Sequence, residues 1–308
     1  MLQTQIPINE APAAARLLAS PVLRWAGGKT QLLPTLRQHY PEELGGTITT
    51  YAEPFMGGGA VFFDIANNYP IEKAFLFDIN HDLVSLYSTL KKNVEGVVHE
   101  LGLMEKKFFE ADIVERESIY YELRKSYNAE PRSRRLLNEY RAAQTIFLNK
   151  TCFNGLFRVN ASGQFNVPYG RPNTPKILCE ANLLAVSNIL QIAEIRCGDF
   201  DEAAKYVHDR TFIYYDPPYR PVSETSYFTA YSKKIFDDGE QKRLAQFFGQ
   251  MDKMGIKQLL SNSKTGDNET FFRGLYTGHQ MYDALAKRSV ASNPARRGYV
   301  EELLIRNY

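Results

Sequence analysis

Apolar positions along the chain follow two periodicities, and the way these alternate predicts the fold. Leu32, Leu33 and Leu36 recur at helical spacing within Gln31–Tyr40, so the glycine turn before them is read as opening a helix. Thr47–Tyr51 is rich in β-formers and runs directly into Glu53-Pro54-Phe55-Met56-Gly57-Gly58-Gly59, after which Ala60–Ala66 is helical in tone. Ala74–Phe77 is a short apolar strand ended by Asp78, and Asn80–Leu90 reads as the next helix. Strand, glycine turn, helix and a second strand ending in an acid make the first half of a nucleotide-binding α/β unit. From about Leu83 to Phe147 the chain is charged, has few glycines and shows no strand alternation. That is too long for one crossover, so it reads as an inserted helical domain.

The pattern changes at Phe153–Gly170. Phe157-Arg158-Val159-Asn160 and Gln164-Phe165-Asn166-Val167 flank the turn-forming Ala161-Ser162-Gly163, which predicts a β-hairpin. Ala181–Leu190 is again helical, and Ile192–Arg196 is a short strand reaching Gly198-Asp199-Phe200. Thr211–Tyr215 is a buried strand ending in Asp216-Pro217-Pro218-Tyr219. A helix over about Asp238–Met254, a strand Lys257–Leu260 ending in Ser261-Asn262, and a β-like Glu302–Ile305 complete the chain. Met1–Ser20, with Pro7, Pro12 and an alanine run, reads as an N-terminal arm.

Composition narrows this picture only a little. With 308 residues there is room for about two domains. Hydrophobic residues at 44% and charged residues at 23% are ordinary for a globular protein. Cys152, Cys179 and Cys197 form no CxxC pair, which argues against a disulfide framework and a thiolate zinc site; their apolar surroundings suggest core positions. No apolar run reaches the roughly 18 residues of a membrane span, and no secretion signal is visible, so a reduced cytoplasmic location is expected. Thirty-seven basic against 35 acidic residues give +2, which neither demands nor excludes nucleic acid. One basic concentration, Arg132, Arg134, Arg135 and Arg141, reads as a solvated helix face.

Three motifs carry chemistry. The Glu53–Gly59 turn has neither the GxGxxG spacing nor the P-loop ending. Glu53 at a strand end repels phosphate but suits a cationic or hydroxyl-bearing ligand, and Asp78 suits ribose hydroxyls. A ligand with a ribose, a positive group and no phosphate is S-adenosylmethionine rather than a dinucleotide. Asp216-Pro217-Pro218-Tyr219 is the sharpest signal, because two prolines after a buried strand fix a rigid backbone. An adenine amine is a poor nucleophile whose lone pair is delocalised into the ring. The Asp216 carboxylate and the Pro217 carbonyl can accept its two hydrogens, and Tyr219 can stack on a base swung out of the duplex. In the hairpin, Arg158 can pair with guanine O6 and N7, while Phe153, Leu156 and Pro168 can wedge beside a disrupted base pair. Arg24, Lys29 and the Lys287-Arg288 and Arg296-Arg297 pairs are further candidates for contacts to phosphate or base. The five histidines are scattered without an HExxH pair, and no serine lies in a GxSxG elbow.

With these motifs in view, the chain closely resembles the Dam-like N6-adenine DNA methyltransferases, the D12 class, whose best-known members modify GATC. The resemblance rests on LRWAGGK (Leu23–Lys29), AEPFMGGGAVF (Ala52–Phe62), FDIN (Phe77–Asn80), NKTCFNGLFRVNASGQFNVPYG (Asn149–Gly170), GDF (Gly198–Phe200), DPPY (Asp216–Tyr219) and SNPARRGYVEELL (Ser292–Leu304). It covers the chain from about Pro21 onward. The resemblance implies an α/β fold: a Rossmann-like methyltransferase sheet with an inserted, mostly helical DNA-recognition domain carrying the hairpin. On that division residues 1–20 are the arm, 21–82 and 175–308 the catalytic domain, and 83–174 the recognition domain, with the hairpin at about 155–168. It also implies that Trp25, Ala26, Lys29, Glu53, Pro54, Phe55, Gly57, Gly59, Asp78, Asp199, Phe200 and Asp216 line the S-adenosylmethionine site, with S-adenosylhomocysteine as product and no metal. Asp216, Pro217, Pro218 and Tyr219 are the implied catalytic tetrad. Arg24, Phe153, Asn154, Leu156, Arg158, Pro168, Asn293 and Arg296 are the implied DNA contacts. Arg24 stands where relatives often have Lys, which keeps the charge but changes the hydrogen-bond geometry toward an outer guanine. Pro172 stands where some relatives have an aromatic residue.

The partner expected is double-stranded DNA, with no membrane and no obligate protein partner. The protein is expected to be a nucleoid-associated monomer, with two copies on a palindromic site as the alternative. Two other functions remain open on sequence grounds: methylation of RNA or of a protein amide nitrogen through the same tetrad, and an inactive DNA-binding homologue.

Overall fold

The apolar runs assemble into one sheet, and its connections place the acids named above along one edge. The computed structural model describes residues 17–129, 138–220, 236–264, 266–287 and 299–308, side chains at 286, 287, 299 and 300 excepted. The strands are β1 (Thr50–Glu53), β2 (Lys73–Asp78), β3 (Ala193–Cys197), β4 (Thr211–Tyr215), β5 (Lys257–Ser263), β6 (Gln280–Lys287) and β7 (Tyr299–Arg306), in the order β3-β2-β1-β4-β5-β7-β6. β1 to β5 are parallel, and β7 lies antiparallel between β5 and β6. The order reverses between β1 and β4, and at such a switch point the carboxyl ends of the strands border a crevice. Glu53 ends β1, Asp78 ends β2 and Asp216 follows β4.

Alternation explains why the sheet is buried on both faces. Tyr51, Phe212, Tyr214, Leu259 and Leu304 join one apolar cluster, while Ala52, Ile213, Tyr215, Leu260, Leu303 and Ile305 join the other. The helices follow in chain order as α1 (Leu33–Leu36), α2 (Ala60–Asn68), α3 (His81–Lys92), α4 (Val94–Glu110), α5 (Ile113–Ala129), α6 (Glu139–Thr151), α7 (Glu180–Leu190), α8 (Asp238–Lys253) and α9 (Asn268–Leu275). Asn80, Asn93, Asn138 and Asp237 cap α3, α4, α6 and α8 through their side chains. The inserted segment is helical as expected, formed by α4, α5 and α6. Its apolar residues, Val97, Leu101, Phe108, Tyr120, Ile146 and Phe147 among them, share one continuous core with the first sheet face.

Several expectations are corrected. The helix over Gln31–Tyr40 is broken into a 3-10 turn (Lys29–Gln31), the four-residue α1 and a second 3-10 turn (Arg37–His39). Pro34 lies in its first turn, and i→i+3 bonds from Leu32 to Lys29 and Thr35 to Leu32 tighten the path. The hairpin is only partly formed. Antiparallel bridges occur at Cys152–Tyr169 and Val159–Phe165, and a 3-10 turn occupies Phe153–Gly155. Asn154 and Gly155 have φ of 55° and 63°, which breaks strand geometry, and Pro168 offers no N–H to a ladder. Arg141 is not on a solvated face: it is buried, 3.0 Å from buried Asp82, with its guanidinium 3.9 Å from the Tyr127 ring centre. Of the cysteines only Cys152 is buried, with its thiol pushed up to about 12 by burial; Cys179 and Cys197 are exposed. Ala19 and Ser20, expected in the arm, bond to Asn67 and Asn182 of the folded body.

Candidate active site

Every residue of β4 is buried, so the chain leaves the core only at Asp216, whose side chain is 22% exposed. Lys29 is buried and brings its Nζ to 2.6 Å from Asp216 Oδ1, 3.0 Å from the Tyr219 hydroxyl oxygen and 3.1 Å from the Gly27 carbonyl. Tyr219 in turn donates its hydroxyl to Glu302 Oε1 at 2.7 Å, and Glu302 Oε2 lies 3.6 Å from Lys29 Nζ. One ammonium is thus shared between a half-buried carboxylate, a buried one and a phenol. Burial pulls the Lys29 pKa down, but Asp216 and Glu302 outweigh it and hold the amine well above its ordinary value. Burial raises Asp216 to about 6, Lys29 opposes that rise and Glu302 adds to it. The backbone of the tetrad is also pinned: Gln241, fully buried on α8, donates to the Pro218 carbonyl at 3.1 Å.

Beside this cluster lies the glycine turn. Gly57 (φ 48°) and Gly59 (φ 71°) adopt left-handed conformations, and a Cβ at Gly57 would sit 3.0 Å from the Trp25 indole nitrogen. Asp78 accepts from Gly57 N at 2.9 Å and Asn80 N at 2.7 Å, and burial raises it to about 6 despite those bonds. Glu53 accepts the Tyr51 hydroxyl at 2.9 Å, and burial drives its pKa well up, with Asp216 and Asp78 adding to the rise. Among the described residues neither Glu53 nor Asp78 has a cationic side chain within ion-pair distance. A cation bearing hydroxyls would relieve both, so the donor set fits S-adenosylmethionine. Pro54 is buried behind the turn, and the Phe55 and Phe200 rings stand 5.5 Å apart. Asp199, just before Phe200, receives Arg243 of α8 on both oxygens at 2.8 and 2.7 Å. Trp25 packs 5.5 Å from Phe157, joining this region to the hairpin, and Ala26 is half-buried next to it.

The candidate DNA-reading residues gather on one side. Asn149, fully buried on α6, accepts from Arg24 N, donates to Arg24 O and donates to Gly155 O. That amide ties the Arg24 segment to the 153–155 turn, leaving the Arg24 side chain exposed against Gly155. Phe153 and Pro168 are exposed, and Asn154 and Leu156 are half-buried. Arg158 is exposed and held across the hairpin by Asn166, Nε to Oδ1 at 2.8 Å. Lys29 sits with the tetrad and not beside Asp78. Asn293, Arg296 and the Arg288 and Arg297 members of the basic pairs lie outside the described residues. Sequence reasoning missed Glu302, Gln241, Asn149, Arg243 and Ser261, whose hydroxyl meets Tyr214 at 2.8 Å. Among the described residues no group of three or more His, Cys, Asp or Glu could hold a metal ion, and no helix is long and apolar enough to cross a membrane.

The family model described as D12 class N6 adenine-specific DNA methyltransferase matches residues 25–290. The chain is 44% identical to the type II methyltransferase M.MjaIII of Methanocaldococcus jannaschii over 94% of its own length and 99% of that relative's. It is 35% identical to the type II methyltransferase M1.LlaDCHI of Lactococcus lactis subsp. cremoris, covering 94% and 95%. It is 33% identical to the DNA adenine methylase of Escherichia coli K12, covering 92% and 93%.

Proposed function

The chain belongs to the D12 class of N6 adenine-specific DNA methyltransferases, and from that premise we propose that it methylates the adenine of GATC through the Lys29–Asp216–Tyr219 cluster. The observation that carries the catalytic assignment is the position of Asp216: first residue past a buried strand, at the switch point, with a carboxylate that Lys29 orients. Bound S-adenosylmethionine supplies an electrophilic methyl group on a positively charged sulfur. Glu53, Phe55, Gly57, Gly59, Asp78, Asp199 and Phe200 would hold it. Asp216 and the Pro217 carbonyl accept hydrogen bonds from the two N–H groups of the target amine. That localises the lone pair on nitrogen as it attacks, and the rigid Asp216–Pro218 backbone supplies the positioning. As the N–CH3 bond forms the S–CH3 bond breaks, S-adenosylhomocysteine leaves, and the proton that the methylated nitrogen sheds passes by way of Asp216 to solvent. Tyr219 offers its ring to the flipped base. Phe153, Asn154, Leu156 and Pro168 support the opened duplex, and Arg24 and Arg158 read guanines. The identity with the Escherichia coli DNA adenine methylase supports adenine in DNA as the target. The enzyme works in the cytoplasm on the nucleoid, as a monomer that modifies one strand at a time.

Two experiments test this reading. Purified protein incubated with S-adenosylmethionine and duplex DNA of diverse sequence should place N6-methyladenine at GATC alone when the product is mapped base by base. Methylation confined to another motif would reject the GATC assignment. In the same assay Arg158→Ala should lower the preference for GATC over sites altered at one guanine by about 10- to 100-fold, the worth of one bidentate arginine–guanine pair. Unchanged discrimination would remove Arg158 as a reading residue. Arg243→Ala removes the cation held on both Asp199 oxygens, so the Kd for the methyl donor should rise about tenfold, the cost of roughly one charge-assisted hydrogen bond, with the Kd for DNA unmoved. Calorimetry with each ligand separately reads this out.

A further inference from the structure

Glu302 reaches the centre of the cluster from a strand to which no role has been assigned. β7 is threaded between β5 and β6, with Glu302 paired to Ser263 on one side and Ala284 on the other. The residue is 4% exposed and shares the face of Leu304, so an acid stands in a row of core-facing positions. A buried carboxylate costs several kcal/mol unless it is paired, and this one meets two groups, the Tyr219 hydroxyl at 2.7 Å and the Lys29 ammonium at 3.6 Å. Its Oε2 has no hydrogen-bond partner among the described residues. The bond from Tyr219 also fixes which way that hydroxyl points. With its proton on Glu302, the phenol oxygen turns its lone pairs to Lys29, which lies 5.0 Å from the ring centre.

We propose that Glu302 is a positioning residue for methyl transfer: it anchors the Tyr219 ring by accepting its hydroxyl and shares the Lys29 ammonium with Asp216, so that ring and carboxylate meet the flipped adenine in one fixed geometry. This rests on the adenine-methylation reading above. The groups facing Asp216 are Lys29 from the turn before α1, Glu53 from β1, Tyr214 on its own strand, Tyr219 beyond it, Ser261 from β5 and Glu302 from β7. Only Lys29 is a cation, so removing the Glu302 charge gives Asp216 the whole of it, and the carboxylate then ionises at lower pH.

The test uses the full chain, S-adenosylmethionine and one GATC duplex, with Glu302→Gln and Glu302→Leu. Gln keeps an oxygen for Tyr219, so its plateau kcat should stay within about threefold of wild type while the acid limb of its kcat–pH profile moves down. Leu removes both contacts, and kcat should fall by about 30- to 100-fold, as expected for misplaced reacting groups. The donor Kd, measured by calorimetry without DNA, should hold within about twofold. Wild-type kcat in Glu302→Leu, equal damage in both variants, or a donor Kd that worsens in step with kcat would each overturn the proposal. Should Glu302→Leu fail to fold, the acid limb of Glu302→Gln decides: a downward move supports the role and an unmoved limb overturns it. Wild-type protein on the same duplex separates the two readings, since no N6-methyladenine there would overturn the adenine assignment and the Glu302 role with it.

Discussion

Asp216→Ala should lower kcat for adenine methylation by about a thousandfold or more while donor and duplex still bind with nearly wild-type Kd. The target amine gains reactivity only when its hydrogens are accepted at the moment of attack, and loss of one such pre-organised partner costs about 10²–10³ in rate. The Ala variant also leaves Lys29 with Glu302 as its one neighbouring carboxylate among the described residues, at 3.6 Å, which adds to the loss. The pH dependence carries the sharper test. Asp216 is raised to about 6 by burial and is the stronger acceptor when ionised, so wild-type kcat should fall below about pH 6 and level off above it. Asp216→Asn keeps one acceptor oxygen that does not titrate. It should retain more activity than Ala and lose that acid limb. A limb near pH 6 that persists in Asp216→Asn would assign the titration to another group, and normal turnover in Asp216→Ala would remove the residue from catalysis.

The parts of this enzyme that could be read from sequence are those set by local pattern. Thr211–Tyr215 is a continuous apolar run ended by two prolines, so both the strand and the abrupt exit at Asp216 follow from neighbours in the chain. The glycine turn and Asp78 are local in the same sense. What stayed hidden depends on chain reversal and distant packing. Lys29 and Asp216 are 187 residues apart, and Glu302 reaches Tyr219 across 83. One faint signal existed for Glu302: in Glu302-Leu303-Leu304-Ile305 an acid shares the strand face of Leu304, an odd place for a charge unless a partner waits there. Arg141 reads as solvated only because Arg132, Arg134 and Arg135 precede it in one basic run, whereas its partner Asp82 lies 59 residues back. α9 and β6 went unread for a different reason. The helix has eight residues, and Gln280–Lys287 mixes polar and apolar residues as an edge strand can. The hairpin turn is local too, and Val159 and Phe165 pair across it, but that single bridge is all of the ladder formed between the two segments.

Lys29→Met tests the cluster from its cationic side, and stability and activity should then depend on pH in opposite directions. Met retains much of the apolar stem, so the change removes chiefly a buried charge and its hydrogen bonds. Breaking a buried ion pair from one side costs about 3–5 kcal/mol, here with two carboxylates left facing each other. In the wild type the folded pKa of Asp216, about 6, already exceeds its unfolded value of roughly 4. Its contribution to stability is therefore present below about pH 4 and lost as pH rises through 6. Lys29 opposes that rise in pKa, so its removal moves the folded value higher still and widens the window of lost stability. The deficit against wild type should be largest near pH 8 in urea unfolding and should shrink as pH falls toward 5. Catalysis should run the other way, because the ionised Asp216 is the stronger acceptor for the amine. The acid limb of kcat should move above pH 6, leaving Lys29→Met least active where it is most stable. A deficit that does not change with pH, or an acid limb that stays at 6, would show that Lys29 does not govern Asp216. The opposite displacement expected for Glu302→Gln makes the pair of variants decisive, since a general loosening of the site would not move the two limbs in opposite directions.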